Sequence, residues 1–115
     1  MYCNTAAATR QTMSSSNLRC VQINLSAIAA NVKSVKDRTT AEILAVVKAD
    51  AYGHGILPVA RTAVQAGASW LGTALLEEAV QLREAGIEVP GGIIAWLTPP
   101  GDDFETALNL RIKHR

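Results

Sequence analysis

The sequence predicts an α/β chain in which parallel strands alternate with helices. Apolar runs of strand length occupy residues 43–47, 70–74 and 92–97, and each is followed by a loop or helix-patterned segment. Gly53, Gly55, Gly67 and Gly86 punctuate the short connections. Hydrophobic residues make up 49% of the 115 residues but aromatics only 4%, so Ala, Val, Leu and Ile carry the core. That balance suits helices layered on a parallel sheet better than a β-sandwich.

Residues 1–17 are rich in Thr, Ser and Ala without an apolar period, and predict a disordered lead-in. Met13 is an alternative start, since everything patterned follows it. Cys20-Val21-Gln22-Ile23 is a short strand candidate. Asn24 or Ser26 can then cap a helix with Leu25, Ile28, Ala29, Val32 and Val35 on one face. The β-branched run of residues 43–47 predicts a strand buried on both faces, ending abruptly at Lys48. A glycine-bearing loop to Gly55 leads into a helix with Pro58 in its first turn and Gly67 just past its end.

The pattern repeats with a strand at residues 70–74 and a helix at residues 76–85 stopped by Gly86. A further strand at residues 92–97 runs into the loop Thr98-Pro99-Pro100-Gly101. Asp102 or Asp103 can cap a last short helix through Leu108, and another strand can begin at Leu110. These are about three βα units with right-handed crossovers, whereas a closed (β/α)8 TIM-type barrel takes roughly 250 residues. The expected architecture is therefore an incomplete (β/α)8 barrel.

Composition excludes several functions. Eleven basic and ten acidic residues leave a formal charge of +1, so no basic field draws in nucleic acid or a membrane surface. The basic run Arg111-Ile112-Lys113-His114-Arg115 reads as a solvated tail. Cys3 lies in a polar segment and Cys20 in an alternating one, which argues against a structural disulfide, and neither has zinc-ligand spacing. No metal site is expected. The start lacks the basic and apolar regions of a secretion signal, and no apolar run approaches the roughly 20 residues that span a bilayer. The expected location is cytoplasmic.

Lys48 is the residue with chemistry. The C-terminal end of a buried parallel strand is where barrel enzymes place reacting groups. Burial disfavours the ammonium form of an amine, and the neutral amine is the form that attacks a carbonyl. A lysine snorkelling at a strand end fits the same position. Tyr52 lies four residues on, in a loop whose glycines allow positive φ or close backbone approach. Its phenol can donate to a phosphate, or simply pack against the next helix. His54 fits a loop hydrogen-bonder better than a catalyst.

Val47-Lys48-Ala49-Asp50-Ala51-Tyr52-Gly53-His54-Gly55 resembles the pyridoxal-phosphate attachment signature of alanine racemases, matching at every position. The likeness extends outward from about Val21 to Leu108. Asn24 to Val32 is similar to the family's first helix. Gly72-Thr73-Ala74 with Glu77-Glu78-Ala79, then Leu82-Arg83-Glu84-Ala85-Gly86-Ile87, resembles the stretch after its second barrel strand. Ile94-Ala95-Trp96-Leu97-Thr98-Pro99-Pro100-Gly101 resembles the third strand and loop.

The resemblance implies an isomerase that interconverts L-alanine and D-alanine for peptidoglycan, with pyridoxal 5'-phosphate as cofactor. Lys48 would carry the cofactor covalently and act as one of two bases. Tyr52 would help bind the phosphate, and Trp96 would form an apolar wall, although a core tryptophan fits its pattern equally well. The substrate implied is alanine and the assembly a homodimer, the partner supplying the opposite tyrosine base from a C-terminal β-domain. Residues 18–115 would be the N-terminal part of the barrel domain, truncated before that β-domain and inactive alone. Arg111 to Arg115 does not continue as the family's next strand should, which suggests a truncation or frameshift. The alternatives are a non-catalytic pyridoxal-phosphate carrier, whose residues after the lysine normally run differently, and an inactive truncated product.

Overall fold

The computed structural model describes residues 2–5 and 19–114. Strand β1, Tyr2–Thr5, pairs in parallel with β2, Val21–Asn24, as a small two-stranded sheet. Part of the segment expected to be disordered is therefore a strand; residues 6–18 lie outside the described residues. Cys20 is disulfide-bonded, contrary to the expectation from sequence. Parallel pairing draws residues 2–5 alongside β2, a proximity that no local pattern signals.

Helix α1, Leu25–Lys36, starts at Asn24, whose side chain accepts from the Ala27 amide at 3.0 Å. This decides the cap between Asn24 and Ser26. The predicted apolar face is only half-buried, and Val35 at its far end is exposed.

Four parallel strands form the main sheet, in chain order β3-β4-β5-β6. They are β3 (Leu44–Val46), β4 (Trp70–Leu75), β5 (Gly92–Leu97) and β6 (Ile112–His114). Between β3 and β4 lie a short turn, α2 (Lys48–Tyr52), and the helix α3 (Ile56–Gln65). Helix α4 (Leu76–Glu84) joins β4 to β5, and α5 (Phe104–Asn109) joins β5 to β6. Pro58 sits in the first turn of α3, and Gly67 follows the cap residue Ala66 with φ 117°. Both positions are as the sequence predicts.

Val47, Leu71, Ile93, Ala95 and Ile112 are buried with Ile56, Val59, Ala60, Ala79, Leu82 and Ala107 from the helices. Residue parity therefore assigns one sheet face to the helices. Each fully buried Leu or Ile there contributes roughly 1.5–3 kcal/mol of transfer free energy. On the opposite face Leu44 is 38% and Val46 41% exposed. The expectation that this strand is buried on both faces is thus corrected: alternate residues of β3 face the core and the open side. Sequential parallel strands with helices on one face form a partial (β/α)8 barrel wall, whose open side corresponds to the barrel interior.

The C-terminal residues depart from the expected solvated tail. Ile112–His114 form β6 in parallel with β5, and Ile112 is 3% exposed. The strand expected to be missing is present because Ile112 fills the helix-facing side, while Lys113 points outward over the Trp70 ring at 4.3 Å.

Candidate functional site

Lys48, Tyr52 and Trp96 all lie toward the C-terminal ends of the strands. The Val47 amide donates to the Gly72 carbonyl at 2.8 Å, extending the β3–β4 pairing by one residue before the chain turns. The segment beyond Lys48 is not the open loop predicted from sequence. Ala49, Asp50, Ala51 and Tyr52 have φ of 52°, 55°, 54° and 56°, a left-handed helical turn of consecutive non-glycine residues. L-residues in that conformation cost roughly 1–2 kcal/mol each, so the turn stores several kcal/mol of strain.

Several bonds oppose that strain. Ala51 donates to Val47 O at 2.9 Å, and Gly53 to Ala49 O and Asp50 O at 3.1 Å each. Gly55 donates to Asp50 O at 2.9 Å, and Asp50 Oδ1 accepts from the Ile56 amide at 2.8 Å. Gly53 carries φ of 85°, continuing the left-handed path where a side chain would add strain. His54 Nδ1 lies 2.9 Å from Ala51 O, which makes it a loop hydrogen-bonder as expected.

The turn brings Lys48 and Tyr52 together. Lys48 Nζ is 5.9 Å from the centre of the Tyr52 ring, and Tyr52 is 61% exposed. Among the described residues no hydrogen bond or ion pair is made to Lys48 Nζ. Trp96 stands apart from this pair, on β5 with β4 between. Its ring packs against Gly72, where an added Cβ would come within 2.7 Å of both Trp96 and Leu44. Trp96 thus lies on the open face of the sheet, half-buried and not in the helix-facing core.

Sequence reasoning does not single out Glu78 as a site residue, yet its carboxylate reaches the turn. Oε1 accepts from the Ala49 amide at 2.6 Å, while Oε2 accepts from Ala74 and Leu75 at 3.0 and 2.9 Å. The one available signal is a glutamate three residues into the helix after β4, the reach-back half of a capping box. Its long-range partner has no signature.

A cleft of about 550 Å³ lies at the opposite ends of the strands, lined in part by Arg83, Gly92, Arg111 and Lys113. Arg83 there donates to the carbonyls of Ile87 and Arg111 and ties main chain together. Among the described residues no group of three or more His, Cys, Asp or Glu side chains could hold a metal ion. Nor is any described helix long and apolar enough to cross a membrane.

Residues 23–114 match the family described as alanine racemase, N-terminal domain. An alanine racemase of Thermobifida fusca is 49% identical over 92 residues, covering 79% of this chain and 24% of that protein. The structure of alanine racemase from Streptomyces coelicolor A3(2) superposes with a TM-score of 0.76 at 47% identity, over 80% of this chain and 25% of that one. Alanine racemase from Bartonella henselae, solved with covalently bound pyridoxal phosphate, gives a TM-score of 0.70 at 30% identity, over 80% of this chain and 27% of that one. The chain thus spans about a quarter of the length of the relatives it matches. It belongs to the alanine racemase family, whose N-terminal domain it matches from Ile23 to His114.

Proposed function

We propose that the whole protein interconverts L-alanine and D-alanine with pyridoxal 5'-phosphate held covalently on Lys48. The observation that carries this reading is Lys48 itself, a half-buried residue at the end of β3, without a carboxylate partner among the described residues and mounted on a strained turn. Strain of this kind persists where the surroundings over-determine it and clusters at functional sites. The family of relatives, and the covalent pyridoxal phosphate in one of them, support the same assignment.

The residues present fit such a cofactor. The Lys48 amine, unpaired among the described residues, would bond the cofactor's carbonyl carbon with loss of water, and the exposed Tyr52 would donate from its phenol to a phosphate oxygen. The Trp96 ring on the open face offers an apolar wall that keeps water from one side. When bound, the cofactor supplies the electron sink for a carbanion at the substrate α-carbon. Lys48, its amine freed when the substrate's amine takes its place on the cofactor, would remove a proton from one face of that carbon in one direction of the reaction and deliver one there in the other. The opposite-face base is a tyrosine of a partner subunit's C-terminal β-domain, so the active form is a homodimer.

Residues 18–115 are assigned to the N-terminal part of the barrel domain, and the enzyme to the cytoplasm and to D-alanine supply for peptidoglycan. The matched relatives carry the racemase name, which favours this reading over a non-catalytic carrier. The test is a visible-absorbance titration of the chain with pyridoxal phosphate, beside the Lys48→Ala variant. A saturable lysine-adduct band lost in the variant is expected. An equal band in both sinks the assignment of Lys48.

A further inference from the structure

We infer that Glu78 is a positioning residue for Lys48, locking the left-handed turn that carries it to the end of β4. The inference rests on the proposed role of Lys48 as the cofactor's attachment point. Its structural basis is one carboxylate that divides its oxygens between two segments.

Oε2 does the local work. It accepts from Ala74 and Leu75, the last residues of β4, and so satisfies main-chain donors at the start of α4. A cap of that kind needs only one oxygen. Oε1 instead reaches 29 residues back along the sequence and accepts from Ala49 N at 2.6 Å. That N–H belongs to the peptide joining Lys48 to Ala49, the first left-handed residue of the turn. As the first donor of a helical turn it has no partner within the turn itself. The contact is at the short end of the charge-assisted range, where a bond is about twice as strong as a neutral one. Fixing that peptide plane fixes the direction in which the Lys48 side chain leaves the backbone. The carboxylate thereby couples the end of β3 to the end of β4, on which the Trp96 ring rests.

Glu78→Gln separates the two duties, because a carboxamide has one acceptor oxygen and turns donors toward the other N–H. The variant keeps the shape of Glu78 and can still cap α4 with its oxygen. Two readouts apply. The first is amide hydrogen exchange at Ala49, Ala74 and Leu75. The second is the rate at which pyridoxal phosphate plus borohydride labels Lys48 relative to Lys33, Lys36 and Lys113, with far-UV circular dichroism as the check on folding.

We expect Ala49 to be protected in the unmodified chain. In Glu78→Gln its exchange should rise, and Lys48 labelling should fall, by about tenfold to a hundredfold, the range for losing a bond to a charged acceptor. Faster exchange confined to Ala74 and Leu75, with Lys48 labelled as before, would reduce Glu78 to a helix cap and overturn the inference. If the variant does not fold, an unprotected Ala49 amide in the unmodified chain overturns it and a protected one upholds it. Should the unmodified chain label no lysine selectively, the proposed role of Lys48 fails, while Ala49 exchange still decides whether the clamp exists.

Discussion

Replacing Ala49 by glycine should stabilise the chain or leave it unchanged, whereas the same replacement at Ala30 should destabilise it. Both alanines are exposed, so neither change creates a cavity. Ala30 lies inside α1, where Ala→Gly costs roughly 1 kcal/mol through backbone freedom gained on unfolding. Ala49 has φ 52° and ψ 50°. There glycine relieves roughly 1–2 kcal/mol of left-handed strain while incurring a similar entropic term of up to about 1 kcal/mol. The net effect at Ala49 is between about zero and 1 kcal/mol stabilising, and the two variants should differ by about 1–2 kcal/mol. In a domain of this size each kcal/mol moves the melting midpoint by roughly 4–8 °C, so differential scanning fluorimetry resolves the pair. Equal destabilisation by both substitutions would refute the left-handed turn and the strain argument built on it.

Gly72→Ala should destabilise by about 1–3 kcal/mol through overpacking, measured as a lowered urea midpoint. The new Cβ would meet the Leu44 methyl and the Trp96 ring at 2.7 Å, so Trp96 fluorescence should shift as well; an unchanged midpoint would contradict the packing described. Asp103 caps α5, and hydrogen bonds from the Thr106 hydroxyl, then from its amide, hold the Asp103 carboxyl below its usual pKa. A depressed pKa contributes stability that is present above the unfolded value and lost as pH falls through the folded one. The Thr106 amide should therefore lose exchange protection on acidification through that range, and Asp103→Asn should abolish that pH dependence.

The alternation of strand and helix was legible because each βα unit is local: periodicity, a cap and a stop signal all sit within a few residues. Asn24, Pro58 and Gly67 occupy the positions their chemistry predicts for that reason. The turn after Lys48 was legible only at Gly53 and Gly55. In Ala49-Asp50-Ala51-Tyr52 only Asp50 is of a type that tolerates a left-handed path, and the bonds that hold the turn come partly from Glu78 on another element. For the same reason nothing in the sequence singled out Glu78. The run at residues 43–47 resembled a doubly buried strand because a barrel interior also selects apolar residues, and only the fold separates its two faces. At the other end, Arg111-Ile112-Lys113 looked like a basic tail. Its period-2 pattern places Ile112 in the core and Lys113 over Trp70, and one apolar residue among charges was too little to announce a strand.

The most direct test of Lys48 as the cofactor's anchor is peptide mapping of the 115-residue chain after stoichiometric pyridoxal phosphate and borohydride. The expected result is a reduction-stable adduct concentrated on the peptide containing Lys48, with Lys33, Lys36 and Lys113 essentially unmodified. An adduct spread evenly over the four lysines, or none, would contradict it.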